Sequence, residues 1–176
     1  MNLFILRHAS AGTRRANPLV DVKRPLDKEG KQQCLLVGRY LSNLNIQFDR
    51  VVSSPLKRAL QTASLVGTET GYEGQIEISE ALSPDGSIQK FQALVRSLEK
   101  LENVLVVGHN PNLPIFLGSL LVNSARPSIR LRKGAVARID CDRLPGTLQW
   151  LVDPRILRSG IYAKATKRSR PKTSRK

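Results

Sequence analysis

The sequence contains few cysteines, few aromatic residues and no long hydrophobic run, and each shortage excludes a class of protein. Two cysteines, Cys34 and Cys141, are too few for a disulfide framework, so we expect core-packing thiols in a reducing compartment. Aromatic residues are 5% of the chain, too few for a platform that stacks single-stranded bases. The longest apolar region, residues 113–122, is far shorter than a membrane span. The few apolar residues before Arg7 form no signal-peptide core, so we expect a cytoplasmic protein.

Acidic residues are also scarce, since 14 Asp and Glu stand against 29 Lys and Arg, and the formal net charge is +15. Seven of the basic residues lie in the segment 164–176, which contains no acid, and the rest of the chain carries +8. A segment with so few apolar side chains and one sign of charge is expected to be disordered. It would contact nucleic acid, acidic lipid headgroups or an acidic partner, or it would be a solvated terminal extension.

Histidine is scarce as well, because the chain has two, His8 and His109. Each directly follows a short apolar run, in the segments NLFILRHAS and NVLVVGHNP. Such a run predicts a buried parallel strand whose carboxyl end carries the polar residue to the sheet edge, where open α/β sheets place their sites. A lone histidine there would be a satisfied polar residue. Two in equivalent contexts, with Arg7 beside the first, indicate a shared site.

Strand patterns alternate with amphipathic helical patterns along the chain, which predicts an α/β fold, a three-layer α/β/α sandwich with a largely parallel sheet. The predicted strands are 3–6, 50–53, 76–78, 104–107, 135–140 and 147–152, the last two forming a hairpin. Predicted helices begin near Asp27, Ser54 and Asn110, which we expect to be N-caps, and near Ile88. Residues 11–25 are predicted to be an irregular basic loop. With 40% hydrophobic residues, the chain suffices for one core and one domain.

Three predicted strands end next to chemically useful residues, at Arg7 and His8, at Ser53 to Arg58, and at His109. Right-handed crossovers place these strand ends on one side of the sheet, so the loops can converge. Two imidazoles and two guanidiniums would meet there without a carboxylate. We expect no metal, because zinc needs three or four ligands. A phosphoryl dianion fits better, since guanidinium forks match its oxygens. A neutral imidazole can attack phosphorus and form a phosphohistidine, which water hydrolyses.

The residues at these junctions resemble the histidine phosphatase superfamily, which is phosphoglycerate mutase-like, and within it the SixA-type phosphohistidine phosphatases. The matching segments are FILRHAS at 4–10, RPLDKEG at 24–30, VVSSPLKRALQTA at 51–63 and VLVVGHNP at 104–111. Each alone is weakly specific, but all four in this order are strongly specific. The resemblance implies a metal-independent phosphatase without a cofactor, with a catalytic domain over 1–163 and the basic tail over 164–176.

Carried over position by position, the resemblance implies that His8 is the nucleophile and that Arg7 and Arg58 bind the phosphoryl oxygens. It also implies that His109 hydrogen-bonds the same group. Arg24 matches a family arginine near the pocket rim, with a solvated loop charge as the equal alternative.

Two positions depart from the family pattern. Ala9 stands where the broader signature has glycine, which is tolerable if the backbone φ there is negative. The general acid of many members is a carboxylate after the third strand. Glu80 roughly matches the position of this acid, and Asp85 lies nearby in sequence. The alternative is that Glu80 is an ordinary loop carboxylate. A missing acid would favour a phosphoramidate substrate, because imidazole leaves readily whereas an alkoxide needs a proton.

The segment 71–80, where larger relatives insert a lid, is short, so we expect an open pocket that admits a side chain projecting from a folded protein. The expected activity is hydrolysis of phosphohistidine on a partner protein, such as a phosphorelay or phosphotransfer domain, through a phosphohistidine intermediate. A small phosphomonoesterase is the alternative enzyme. A nucleic-acid or acidic-partner binding module without turnover is the alternative of another class, suggested by the tail and by Arg126, Arg130, Arg132 and Lys133.

Overall fold

The computed structural model describes residues 1–122 and 129–158, in which a six-stranded sheet lies between two layers of helices. The elements in chain order are β1 (Asn2–Arg7), α1 (Pro18–Val22), α2 (Lys28–Asn43), β2 (Arg50–Ser53), α3 (Lys57–Glu69), β3 (Glu77–Ile78), a 3-10 turn (Glu80–Leu82), α4 (Ile88–Ser97), β4 (Asn103–Gly108), α5 (Asn112–Leu121), β5 (Val136–Asp140), β6 (Thr147–Val152) and α6 (Pro154–Arg158). This architecture confirms the predicted three-layer sandwich.

The strand order is β3-β2-β4-β1-β5-β6, and it positions the loops that matter for function. Strands β3, β2, β4 and β1 run parallel, whereas β5 pairs antiparallel with β1, and β6 pairs antiparallel with β5 to form the predicted hairpin. In the parallel part Arg7 pairs with Gly108, and Ser53 pairs with Val107. The carboxyl ends of β1, β2 and β4 are therefore neighbours at one edge of the sheet.

Both faces of the sheet are covered, which explains the continuous apolar runs of β1 and β4. Leu3 and Ile5 on β1 pack into the core beneath α4 and α5. Phe4 and Leu6 point to the other face and pack against α2 and α3. All four are essentially inaccessible to solvent.

Asp27 is the N-cap of α2, as predicted, and it also holds the loop that follows β1. One carboxylate oxygen accepts from Gly30 N at 2.7 Å. The other accepts from Gly12 N at 2.7 Å and from Ser10 Oγ at 2.8 Å. Helix α2 approaches this loop so closely that a Cβ on Gly30 would lie 1.9 Å from Ser10 O. The loop carrying the first histidine is thus fixed against α2.

Three expectations about local structure are wrong. Ser54 does not cap a helix, since α3 begins at Lys57 and its N-cap position, Leu56, makes no side-chain cap hydrogen bond. Asn110 does not cap α5, which begins at Asn112, and its amide donates to Leu131 O at 3.0 Å. Both side chains make tertiary contacts instead. The loop at 11–25 contains the short helix α1.

Both cysteines are free thiols. Cys34 is buried between α2 and the sheet, and burial raises its pKa to about 12. Cys141 is partly buried, and burial raises its pKa to about 11. In the described ranges we find no helix whose length and apolar content would let it span a bilayer. Arg126 and the tail at 164–176 lie outside the described residues, so their expected roles stay predictions.

Candidate active site

The loops after β1, β2 and β4 converge on a cavity of about 560 Å³. His8 and His109 both line it, and their ring centroids are 4.9 Å apart with planes tilted by 50°. The charged residues that line it are Arg7, Arg14, Arg15, Asp21, Arg24, Arg58, Asp85 and Lys133. The two imidazoles, separated by about a hundred residues in sequence, thus face one basic cavity.

His8 is held in one orientation by the backbone around it. Its Nδ1 lies 2.8 Å from Ala9 O, and a carbonyl only accepts, so Nδ1 carries the proton. The backbone N of His8 donates to Gly108 O at 3.0 Å, and Ala9 N donates to Thr62 Oγ1 at 3.1 Å. Because Nδ1 makes the contact with Ala9 O, the lone pair on the other ring nitrogen of His8, Nε2, takes no part in it.

The imidazole of His8 is neutral at physiological pH. Burial is the main cause, and the nearby positive charges of Arg58 and Arg7 add to it, so that its pKa falls to about 3. Only 6% of His8 is exposed. A neutral imidazole with a free nitrogen is the form of histidine that acts as a nucleophile or base.

His109 lies deeper and contacts Ser54, the residue predicted above as a helix N-cap. Its Nε2 is 2.8 Å from Ser54 Oγ. Leu56 N can only donate to that oxygen, at 3.3 Å, so Nε2 is the acceptor that the structure shows for the hydroxyl hydrogen, and we assign the ring proton to Nδ1. Burial, the neighbouring His8 and the arginines lower the pKa of His109 to about 2. Its Nδ1 is buried without a hydrogen-bond partner.

Both predicted phosphate-binding arginines line the cavity with one guanidinium nitrogen anchored. Arg7 Nη1 donates to Leu131 O at 2.9 Å, and Arg58 Nη1 donates to the backbone oxygen of Asp21 at 3.0 Å. The Nε atoms of both arginines are buried without a partner. Burial lowers the pKa of each guanidinium from its ordinary value.

The unpartnered buried polar atoms concentrate around this cavity. Among the described residues they are Arg7 Nε, Arg58 Nε, His109 Nδ1 and Asn110 Oδ1, and each belongs to a lining residue. Buried donors without acceptors are costly, and three of them beside one cavity fit a ligand with several acceptor oxygens. The site is suited to a tetrahedral oxyanion.

The expectation of a cluster without a carboxylate is wrong, because α1 brings Asp21 into it. Asp21 is 9% exposed and accepts from Arg24 Nε at 2.8 Å and from Arg58 Nη1 at 3.3 Å. The hydrogen bond from Arg24 is the main cause that lowers the pKa of Asp21 to about 2. Sequence reasoning missed Asp21 because it lies among exposed apolar residues. The Asn17-Pro18 pair, a helix-start pattern, was the available signal.

Arg24 is part of this network rather than a solvated loop charge. Besides contacting Asp21, it donates from Nη1 to Ala11 O at 2.7 Å. Ala9 has the negative φ that an alanine at this position needs, since in the described segments a positive φ outside glycine occurs at Asn45 alone.

Glu80 is exposed on the 3-10 turn and does not line the cavity. The carboxylates that line it are Asp21 and Asp85. Within residues 1–122 and 129–158, no group of three or more His, Cys, Asp or Glu is arranged to hold a metal ion.

Comparison with known proteins agrees with the geometry. A model of the histidine phosphatase superfamily (branch 1) matches residues 3–83. The chain is 29% identical over 157 residues to phosphohistidine phosphatase SixA of Escherichia coli (strain K12), covering 88% of this chain and 94% of that protein. It is 31% identical over 139 residues to an uncharacterized protein of Picosynechococcus sp., covering 77% of this chain and 82% of that protein.

A solved structure of the protein histidine phosphatase SixA complexed with tungstate aligns with a TM-score of 0.81 and 28% identity. The alignment covers 89% of this chain and 99% of that one. These similarities confirm the resemblance that the four sequence segments indicated.

Proposed function

This chain belongs to the histidine phosphatase superfamily and is a phosphatase, and from that premise we propose that it hydrolyses phosphohistidine on a partner protein. The observation that carries the proposal is the neutral imidazole of His8, which faces a cavity lined by Arg7, Arg58 and His109, each of which has a buried nitrogen without a hydrogen-bond partner. The similarity to a phosphohistidine phosphatase supports the substrate class.

In the first step the phosphoryl oxygens accept hydrogen bonds from Arg7, Arg58 and His109. The Nε2 lone pair of His8 attacks phosphorus, and the bond between phosphorus and the substrate imidazole breaks. The other ring nitrogen of the substrate imidazole carries a proton taken from solvent, so the leaving nitrogen keeps the electron pair of the broken bond and departs in a neutral imidazole. His8 now carries the phosphoryl group on Nε2, while its Nδ1–H still donates to Ala9 O.

In the second step water attacks phosphorus and the bond to His8 Nε2 breaks. The electron pair returns to Nε2, the proton of the water passes to solvent, and inorganic phosphate leaves. Negative charge grows on the equatorial oxygens in both steps. Preorganised donors stabilise this charge, and removal of one, such as Arg58, is expected to cost about a hundredfold or more in rate.

The carboxylates near the site favour a leaving group that needs no strong acid. Asp21 has a pKa of about 2 and is ion-paired with two arginines, so it has no proton to donate at neutral pH. Glu80 lies outside the cavity, and Asp85, which lines it, is exposed and forms no hydrogen bond or ion pair with the described site residues. Imidazole leaves readily without such help, whereas the alkoxide of a phosphomonoester does not.

Two measurements test this proposal. The first compares kcat/KM for a phosphohistidine phosphotransfer domain with kcat/KM for a panel of sugar phosphates and nucleotides. We expect the phosphoprotein to be preferred, and a preference for the metabolites would overturn the substrate assignment in favour of a small-molecule phosphomonoesterase.

The second measurement follows the phosphoryl group onto the enzyme. A radiolabelled phosphohistidine domain, quenched in base during the first turnovers, is expected to leave a base-stable, acid-labile label on the chain. His8→Ala is expected to lose both label and turnover, whereas Ser97→Ala, an exposed change on α4, keeps both. Full turnover by His8→Ala would refute the covalent mechanism.

A further inference from the structure

The short helix α1 exposes apolar side chains and buries its acid, the reverse of an ordinary surface helix. Leu19 is 79% exposed, Val20 51% and Val22 45%, whereas Asp21 is buried. Scattered exposed apolar residues are common, but three within one turn beside a functional cavity are informative. Val22 also lines the cavity, so this apolar surface is continuous with the site.

Two exposed basic residues, Arg14 and Arg15, lie next to this apolar surface. Arg14 and Arg15 precede α1 and line the cavity, and Lys133 lines it as well. None of these three forms an ion pair with the described residues. Their charges are therefore available to a ligand.

The charge of the cavity exceeds what one phosphoryl group needs. Six Arg or Lys and two Asp line it, and both imidazoles are neutral, so the lining carries four net positive charges. A phosphoryl group brings about −1.5 to −2. When the phosphoryl group is bound, about two positive charges of the lining stay uncompensated. Arg14, Arg15 and Lys133, which have no ion-pair partner among the described residues, account for this excess. A partner protein with acidic groups beside its phosphoryl group would neutralise this excess positive charge.

We propose that Arg14, Arg15 and α1 form a docking surface for the protein that carries the phosphohistidine, an inference that rests on the proposed function. Leu19 and Val20 pack against apolar side chains of that protein, and the two arginines pair with acidic side chains around its phosphorylated histidine. The occupant is a folded phosphohistidine domain with a mixed apolar and acidic face.

The inner side of α1 explains why this surface sits where it does. The backbone oxygen and the carboxylate of Asp21 both accept from Arg58 Nη1, and the carboxylate also accepts from Arg24. One short helix therefore holds a phosphate-binding arginine with its inner face and presents its outer face to the partner. This arrangement sets a fixed distance between the docking surface and the reacting phosphorus.

The test compares two substrates with the same scissile bond. One is a phosphohistidine phosphotransfer domain, and the other is phosphoimidazole, which is too small to reach Leu19 and Val20 outside the cavity. The variants are the double changes Leu19→Ser with Val20→Ser, and Arg14→Gln with Arg15→Gln. The matched controls are Leu144→Ser, an exposed leucine in the hairpin, and Lys90→Gln with Arg96→Gln, exposed charges on α4.

We expect each docking variant to raise KM for the phosphoprotein at least about tenfold with little change in kcat, because lost interface contacts of about 1.4 kcal/mol weaken binding tenfold. For phosphoimidazole, kcat/KM of the Leu19 and Val20 variant should stay within twofold, and that of the arginine variant should fall by much less than its kcat/KM for the phosphoprotein, because Arg14 and Arg15 also line the cavity. The arginine variant should also flatten the salt dependence of kcat/KM, since screened charges steer association. The control variants should behave as the wild type with both substrates.

The outcomes separate the docking surface from the activity. If the wild type hydrolyses the phosphoprotein and neither docking variant changes its KM, the docking surface is refuted and the proposed function stands. An equal loss on both substrates also refutes it, because the defect would then lie in the catalytic cluster. If the wild type hydrolyses phosphoimidazole but no phosphohistidine domain, the proposed function is refuted together with the surface that depends on it.

Discussion

Replacing Asp21 by Asn isolates the role of the one carboxylate among the described residues that contacts Arg58, the proposed phosphate-binding arginine. The carboxylate accepts from Arg24, from Arg58 and from the backbone N of Arg15 at 2.8 Å. Asparagine keeps the size and one acceptor but removes the charge and adds a donor. Two guanidiniums then share a buried region without a countercharge, which the fold tolerates poorly.

The cost is expected to be about 3 kcal/mol, the lower end for breaking a buried pair, because the carboxylate keeps slight solvent contact. At roughly 2–4 °C per kcal/mol for a chain of this size, Tm should fall by about 6–12 °C. We expect kcat to fall about ten- to a hundredfold, since Arg58 loses one of the two acceptors that orient it.

Thermal unfolding with and without tungstate is the assay. An oxyanion in the cavity replaces the missing countercharge, so tungstate should raise the Tm of the Asp21→Asn variant more than that of the wild type. Asp85→Asn is the matched control, since Asp85 lines the same cavity outside this network. If the two variants are equally stable and gain equally from tungstate, Asp21 does not position Arg58 and the reasoning fails.

Three further predictions follow from single contacts and pKa values. Gly30→Ala should destabilise the fold by about 3 kcal/mol or more, because its Cβ would lie 1.9 Å from a backbone oxygen, whereas Gly67→Ala, with room at 3.6 Å, should be tolerated. Urea titrations measure both, and equal stabilities would contradict the clash. Because His8 and His109 have pKa values of about 3 and about 2, the unfolded chain binds more protons below about pH 6.5. Above that pH the two histidines should not change the free energy of unfolding. On acidification below it, each imidazole should lower the free energy of unfolding by about 1.4 kcal/mol per pH unit. The variant His109→Gln should therefore show a shallower slope between pH 6 and 4. Cys34 has a pKa of about 12 and is 1% exposed, so iodoacetamide at pH 8 should neither label it in the native protein nor change activity. Fast native labelling, seen by mass spectrometry, would show that this thiol is accessible.

The strands and most helices could be predicted from the sequence because their signals are local. A run such as residues 3–6 is apolar at every position only when both faces of the strand are covered, so its pattern predicts burial directly. Asp27 is a correct N-cap prediction for the same reason, since the capped amide lies three residues away. Likewise, His8 and His109 could be placed at strand ends without knowing which strands are neighbours.

The errors arose where a local rule competed with a contact distant in sequence. Ser54 satisfies the sequence rule for an N-cap, yet its hydroxyl contacts His109, 55 residues away. Asn110 satisfies the same rule and instead donates to Leu131. For Ser54, the buried Nε2 of His109 would otherwise lack a partner, and that cost exceeds the gain from capping a helix.

By itself, the sequence determined the order of the elements, the burial of the strands and the identity of the two imidazoles and two guanidiniums of the site. The tertiary structure alone decided that Asp21 joins them, that Glu80 stays outside and that Ser54 holds His109. The physical reason is that periodicity and capping depend on neighbours along the chain. Ion pairs and buried hydrogen bonds depend on which loops the strand order brings to the same edge of the sheet.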